Sequence, residues 1–247
     1  MKTLAVIPAR YDSQRFPGKV LADLAGKPVI QHVWERAGRA ARVDEVVIAT
    51  DSDRVACTAE AFGAQVFLSR TTHQCGTDRV AEAARALGCD LAVNIQTDEP
   101  MMEPLLIDAL VDLFDAPQVQ FASAVAPIHS MVDFLDPNVV KVVCDDEGNA
   151  LYFSRAPIPW DRAQPPTPGA SLPEGLPALK HIGIYLYRAD ALQRLAALPR
   201  SPLEVTESLE QLRILQQGWK MRILEWDYHG VGLDTQADLE RLRAALG

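Results

Sequence analysis

Leu4-Ala5-Val6-Ile7-Pro8-Ala9-Arg10-Tyr11-Asp12-Ser13-Gln14-Arg15-Phe16-Pro17-Gly18-Lys19 is the stretch on which the fold turns. Residues 4–7 are a short apolar run ended by Pro8 and Arg10, which predicts a first buried strand. A loop punctuated by Gly and Pro follows, and a helix is expected to open at Pro28, where proline is tolerated in the first turn. Ile30, Val33, Trp34 and Ala37 then recur at helical spacing. Working outward, strands are expected at 45–49, 65–68, 91–95 and 121–125. Helices are expected after Ser52 or Asp53 as cap, then at 77–87 and 104–114. Alternation of this kind predicts an α/β fold with a mostly parallel, Rossmann-like sheet covered on both faces.

The pattern changes in the second half. Residues 139–144 and 150–154 flank Asp145-Asp146-Glu147-Gly148-Asn149, which reads as a β-hairpin. A loop with Pro157, Pro159, Pro165, Pro166, Pro168, Pro173 and Pro177 comes next, then a strand at 181–188, a helix at 203–216, a strand at 221–226 and a closing helix at 235–246. The expected organisation is a nucleotide-binding α/β domain over 1–128, an inserted smaller α+β lobe over 129–200, and a return to the main domain over 201–247.

Bulk properties narrow the function. The 247 residues suffice for a real core, and 48% hydrophobic content excludes disorder. No apolar run approaches the roughly 20 residues of a membrane span. The N-terminal apolar stretch, about five residues, falls short of the roughly 7–15 of a signal-peptide core, so a cytoplasmic protein without membrane insertion is expected. Cys57, Cys75, Cys89 and Cys144 form no C-x-x-C pair and read as reduced thiols. A net charge of −9 argues against a nucleic-acid partner. An acidic protein that handles phosphates must concentrate positive charge locally or recruit a metal.

Three constellations carry chemistry. Arg10, Arg15 and Lys19 crowd the loop after the first strand, at the sheet end where α/β proteins place ligands, and Gly18 permits close backbone approach. Gly18-Lys19 is followed by Val20, so this is not a P-loop, and no G-x-G-x-x-G of a Rossmann dehydrogenase follows the strand. Asn94-Ile95-Gln96-Thr97-Asp98-Glu99-Pro100 ends the fourth strand; its carboxylates can hold Mg²⁺, which takes one or two protein carboxylates, or can form an ordinary acidic turn. In His229-Gly230-Val231-Gly232-Leu233-Asp234-Thr235, Asp234 reads as a metal ligand or as the cap of the last helix.

Together with these, IPARYDSQRFPGKVLADLAGKPVIQHVWERA, VVIATDSDRV, HQCGTDRVAEAA, VNIQTDEPM, NVVKVVCDDEGNALYFSRAPIPWDR, HIGIYLYR, SPLEVTESLEQLRILQQG and VGLDTQADLERLR resemble the bacterial CMP-KDO synthetases, the 3-deoxy-manno-octulosonate cytidylyltransferases. The opening segment alone indicates a sugar nucleotidyltransferase; ALYFSRAPIPWDR, HIGIYLYR and ESLEQLR narrow it to the KDO enzymes. The resemblance implies a two-lobed nucleotide-diphospho-sugar transferase fold, usually a homodimer. It implies a Mg²⁺-dependent transfer of the cytidylyl group of CTP to the anomeric hydroxyl of KDO for lipopolysaccharide. By position, Pro8, Ala9, Arg10, Ser13 and Lys19 would surround the CTP phosphates and ribose, and Cys75, Gly76, Thr77, Arg79 and Gln96 the cytosine. Asp98 and Asp234 would hold the metal, with Arg10 and Lys19 as catalytic partners. Arg155, His181, Tyr185, Glu207, Glu210 and Gln211 would contact the sugar acid.

Departures from the family pattern are Thr97 where Gly is usual, Cys75 where Ser is common, and Lys180 where Arg is expected before His181. A Cβ at Thr97 would disfavour a positive φ or crowd the nucleotide, and Cys75 trades a good hydrogen-bond partner for a weak one. His181 reads either as a hydrogen-bonded core or interface residue or as a group orienting sugar hydroxyls. Another ulosonic acid as substrate, or a non-catalytic nucleotide-binding relative, are the competing readings.

Overall fold

A computed structural model describes residues 1–12, 16–69, 71, 73, 75–233 and 235–246. The first half contains β1 (Thr3–Ala9), a short hairpin of β2 (Asp23–Leu24) and β3 (Lys27–Pro28), α1 (Val29–Ala37), β4 (Glu45–Thr50), α2 (Asp53–Ala61), β5 (Gln65–Leu68), α3 (Gly76–Leu87), β6 (Leu91–Ile95), α4 (Pro104–Asp112) and β7 (Phe121–Pro127). The second half adds α5 (Met131–Leu135), β8 (Lys141–Cys144), β9 (Ala150–Ser154), β10 (Leu179–Arg188), α6 (Ala189–Ala196), α7 (Pro202–Glu207), α8 (Leu212–Gln216), β11 (Arg222–Glu225) and α9 (Gln236–Leu246).

Successive side chains of a strand face opposite ways, and β1 shows what this does to the core. Ala5, Ile7 and Ala9 pack with Ile30 and Val33 of α1, Val55 of α2 and Leu106 of α4. Leu4 and Val6 pack on the other side with Val80 and Ala84 of α3 and Leu192 of α6. All seven residues of β1 are buried, as a strand between two helical layers must be. The strand order is β11-β7-β10-β6-β1-β4-β5. β6, β1, β4 and β5 run parallel, and β7 and β11 pair parallel; β10 runs antiparallel to both β6 and β7. β10 also pairs with β8 of the outlying β8–β9 ribbon through Leu179 and Lys180. The mostly parallel α/β sheet is therefore as expected.

Capping chemistry places the helices. Ser52 caps α2 by accepting from the Val55 amide, and Pro28 precedes α1. The cap of α9 is Thr235 with Asp238: the Thr235 amide donates to the Asp238 carboxylate at 2.7 Å and the Asp238 amide to the Thr235 hydroxyl at 3.2 Å.

The helix expected at 203–216 is two helices. α7 stops at Glu207, and Ser208 turns the chain into the left-handed region at φ 54°. Arg155 holds that break, its Nε donating to the Glu207 carbonyl at 2.7 Å and its Nη2 to that of Ser208 at 3.4 Å. Such donation satisfies carbonyls that a helix end leaves orphaned. Ser154 Oγ and the Arg155 amide in turn donate to the Glu207 carboxylate at 2.7 and 3.0 Å. α5 and α6 lie where no helix was expected.

Candidate active site

The loops after β1 and β6 converge beneath the segment that leads into α9. Lys19 Nζ lies 3.5 Å from the Asp98 carboxylate and donates to the Leu233 carbonyl at 2.9 Å. The Leu233 amide donates to the Asp98 carbonyl at 2.8 Å. Leu233 is itself anchored in a small apolar cluster with Leu24, Val29, Leu239 and Leu242. The far end of the chain is thereby stitched to the β6 loop one residue short of position 234. Asp234, Ser13 and Arg15 lie outside the described residues.

The Asp98 side chain is 36% exposed, so its oxygens reach solvent beside a cation. Among the described residues no group of three or more His, Cys, Asp or Glu could hold a metal. Mg²⁺ does not require one: it keeps several waters and takes one or two carboxylates beside substrate phosphates. A single partly exposed aspartate next to a fixed lysine fits that demand. Thr97 adopts no positive φ; among the described non-glycine residues only Ala25 and Ser208 do. The extra Cβ at the usual glycine position is therefore accommodated without backbone strain.

Among the residues expected around the nucleotide, Arg79 is almost wholly buried and organises the neighbouring backbone. Its Nη1 donates to the Ala9 carbonyl at 3.1 Å and its Nη2 to Asp51 at 2.5 Å, while Nε has no partner among the described residues. Burial lowers the pKa of Arg79, and the Asp51 carboxylate opposes that shift. Asp51 was not anticipated as part of the site; its position directly after β4, at the same sheet end as Arg10, was the available signal. Gly76 lies against Pro8 and the Gln96 amide, a Cβ there standing 3.5 Å from Pro8 Cγ and from Gln96 Nε2. Gln96 donates to Asn94 at 2.9 Å. Pro8, Ala9, Gly76, Arg79 and Gln96 are thus brought together. A cleft of ≈ 890 Å³ opens beside them, lined among others by Arg10, Asp51, Ser69 and His73.

Cys75 precedes α3 and its side chain makes no capping bond. The cap comes from across the molecule: the amides of Gly76 and Thr77 donate to Glu210 at 3.2 and 3.0 Å, and the Thr77 hydroxyl does so at 2.6 Å. The Cys75 thiol instead receives Arg213 Nη2 at 3.5 Å, and burial raises its pKa.

The residues expected around a sugar acid divide into two groups. Arg155 and Glu207 hold each other and the α7 break. Tyr185, half-buried, donates to Gln211 at 3.3 Å, whose Nε2 has no partner among the described residues, and Glu210 sits one residue away on the cap of α3. His181 faces Ser123 at 2.8 Å, and Ser123 donates its one proton to the Ile184 carbonyl at 2.7 Å. The network therefore makes His181 the donor, through Nε2–H. Burial pushes its pKa down to about 3. His181 is thus hydrogen-bonded and in ring contact with Phe153 and Tyr185.

The sign of the linkage follows from a folded pKa below the ordinary value of about 6.5. Between about 3 and 6.5 the unfolded chain binds the proton that the folded chain refuses, so this contribution is lost as pH falls through that window and is complete above it. The imidazole carbon proton of His181 should show no titration between pH 5 and 8 by NMR. A midpoint near 6.5 would mean the ring is solvated.

Glu99, beside Asp98, is turned inward. Tyr228 donates to one oxygen at 2.7 Å and the Gly183 amide to the other at 3.2 Å. Burial, with the Asp98 charge adding to it, pushes its carboxyl up to about 7. Glu99 was quoted in the acidic stretch after the fourth strand but given no role of its own, and Tyr228 was not anticipated as part of the site.

Residues 4–223 match the family model described as cytidylyltransferase. The 3-deoxy-manno-octulosonate cytidylyltransferase of Geobacter sulfurreducens is 47% identical over 245 residues, 98% of each chain. This chain belongs to the 3-deoxy-manno-octulosonate cytidylyltransferase family. The enzyme of the same name from Solibacter usitatus is 48% identical over 98% of this chain and 93% of its own. A solved CMP:2-keto-3-deoxy-manno-octonic acid synthetase complexed with CTP superimposes with a TM-score of 0.90 at 43% identity, covering 100% of this chain and 98% of the other. A cytidylyltransferase from Leptospira borgpetersenii, 18% identical with a TM-score of 0.64 over 100% of this chain and 87% of its own, shares the fold. As a 3-deoxy-manno-octulosonate cytidylyltransferase family member the chain is a nucleotidyltransferase with its cation-bearing loop at the carboxyl end of β1.

Proposed function

We propose that this chain transfers the cytidylyl group of CTP to the anomeric hydroxyl of KDO, releasing pyrophosphate and giving CMP-KDO for lipopolysaccharide assembly. The observation that carries it is the stitching of Lys19, Asp98 and Leu233 into one corner, within a chain 47% identical to a named KDO cytidylyltransferase over nearly its whole length. The triphosphate and the sugar carboxylate are both anionic and would repel one another unless cations lie between them. Lys19 supplies one fixed charge and Arg10 another on the same loop. The sugar hydroxyl attacks the α-phosphorus in line; the new P–O bond forms as the bond to pyrophosphate breaks, and the hydroxyl proton leaves to solvent or a phosphate oxygen. Positioning and charge stabilisation supply most of the acceleration in such transfers. His181, whose pKa burial pushes down to about 3, is too weak a base to remove that proton.

Mg²⁺ is the cofactor this reading calls for, held by Asp98 and, by family position, Asp234. Bound there it would neutralise phosphate charge and polarise the α-phosphoryl group. The orphaned Gln211 amide and Tyr185 support a sugar-acid pocket between β10 and the α7–α8 break. A homodimer in the cytoplasm completes the proposal, with residues 129–200 as sugar-binding and dimerisation lobe. Exposed Leu151, Trp160, Leu203 and Val205 support association, and no helix among the described residues is long and apolar enough to cross a membrane.

Pyrophosphate release from CTP with KDO, 8-amino-KDO or sialic acid, with and without EDTA, tests the reading. CTP with KDO and Mg²⁺ should give the fastest release and EDTA should stop it. Faster turnover with UTP or TTP than with CTP, or none with any acid, would contradict it.

A further inference from the structure

Glu99 follows the proposed metal ligand directly in sequence. Both of its oxygens are committed to other elements: Oε1 to the Gly183 amide of β10 at 3.2 Å, Oε2 to the Tyr228 hydroxyl at 2.7 Å. Tyr228 is 6% exposed and opens the segment that runs to Leu233 and on to position 234. The two loops that carry the aspartates therefore meet twice, through Glu99–Tyr228 and through the Leu233 amide on the Asp98 carbonyl.

The surrounding backbone is cut to admit this contact. β10 shifts register between Ile182 and Tyr185, and Gly183 in that bulge both donates to Glu99 and accepts from the Gln96 amide at 3.2 Å. A Cβ on Gly183 would stand 3.1 Å from Glu99 Oε1. A Cβ on Gly230 would stand 2.1 Å from Tyr228 Cζ and from its hydroxyl oxygen, so residue 230 must lack a side chain for Tyr228 to reach back to Glu99. A register shift and two bare positions thus admit one inward-turned carboxylate whose two oxygens each bind a different element.

We propose that Glu99 is a positioning residue that fixes the spacing between the Asp98 loop and the loop leading to Asp234, and so sets how strongly a divalent cation is taken up together with CTP. This rests on the metal reading proposed above. Groups that orient metal-holding carboxylates are not ligands themselves, yet the fit of the cation depends on them.

The test is calorimetric titration of CTP into the enzyme in Mg²⁺ and in EDTA, the ratio of the two affinities being the metal-dependent gain. Glu99→Ala should cut that gain by about 10–100-fold, the usual cost of losing a group behind a ligand, with CTP affinity in EDTA unchanged as evidence of a folded site. Glu99→Gln should keep the gain: its carbonyl oxygen can accept from Gly183 and its amide can donate to the Tyr228 oxygen, so the tie survives without the charge. A full gain in Glu99→Ala overturns the inference. A loss in Glu99→Gln as large as in Glu99→Ala also overturns it, since charge rather than position would then matter. No gain in the wild-type protein would overturn the metal reading itself and this inference with it, and is distinguished by needing no variant.

Discussion

Asp98→Ala is expected to lower kcat by about 10²–10³, the usual cost of removing one preorganised charge stabiliser in a transfer of this kind. The fold should be untouched, for reasons visible around the residue. The Asp98 side chain is partly exposed, and its structural work is done by its carbonyl, which accepts from the Leu233 amide at 2.8 Å and survives the substitution. Lys19 loses an ion pair at 3.5 Å but keeps its bond to the Leu233 carbonyl at 2.9 Å. CTP affinity in EDTA should therefore change little while turnover with Mg²⁺ collapses. Turnover within a few-fold of wild type, in a variant with an unchanged melting temperature, would remove Asp98 from the reaction.

The largest effect on stability is expected at Arg213, which is 2% exposed and forks onto Glu204, 0% exposed, through Nε at 2.9 Å and Nη2 at 2.8 Å. Arg213→Met leaves the Glu204 carboxylate buried with only the Ser201 amide at 3.1 Å and Arg200 at the rim to compensate it. Breaking one side of such a pair costs about 3–5 kcal/mol, a large part of the roughly 5–15 kcal/mol that holds a domain together. Arg213 also reaches Asp78 at 3.4 Å and the Cys75 thiol, so the N-terminus of α3 should loosen as well. Urea unfolding of Arg213→Met beside the double variant Arg213→Met, Glu204→Leu separates the causes. The double variant should be the more stable of the two, because it leaves no charge stranded. If Arg213→Met alone loses less than about 1 kcal/mol, the pair is solvated and behaves as a surface bridge.

The residues that could be read from sequence are those whose role is local. β6 falls on the expected residues 91–95, and β4 ends one residue beyond the expected 49, because buried parallel strands are continuous apolar runs bounded by polar turns. α6 was missed because it follows β10 with no intervening turn residue: Arg188 ends the strand and precedes the helix without a side-chain cap. The unbroken helix expected at 203–216 failed for a tertiary reason, since the periodicity of Leu209, Leu212 and Leu215 carries no trace of Arg155 gripping carbonyls from another part of the chain. The same divide runs through the site. Lys19 and Asp98 announce themselves by charge at strand ends, and the structure brings them together. Asp51, Glu99, Tyr228 and Ser123 act through partners distant in sequence, which no spacing rule records.

Glu210 carries a consequence for where anions can settle. The exposed amides at the front of a helix ordinarily attract phosphate, but on α3 both leading N–H groups are already occupied by this protein's own carboxylate, delivered from the segment before α8. A triphosphate arriving at that helix would meet a negative group rather than a vacant positive one. The seat is taken, so under the proposed function the phosphate chain would be steered towards the guanidinium and ammonium groups of the opposite loop, leaving the helix front for an uncharged group.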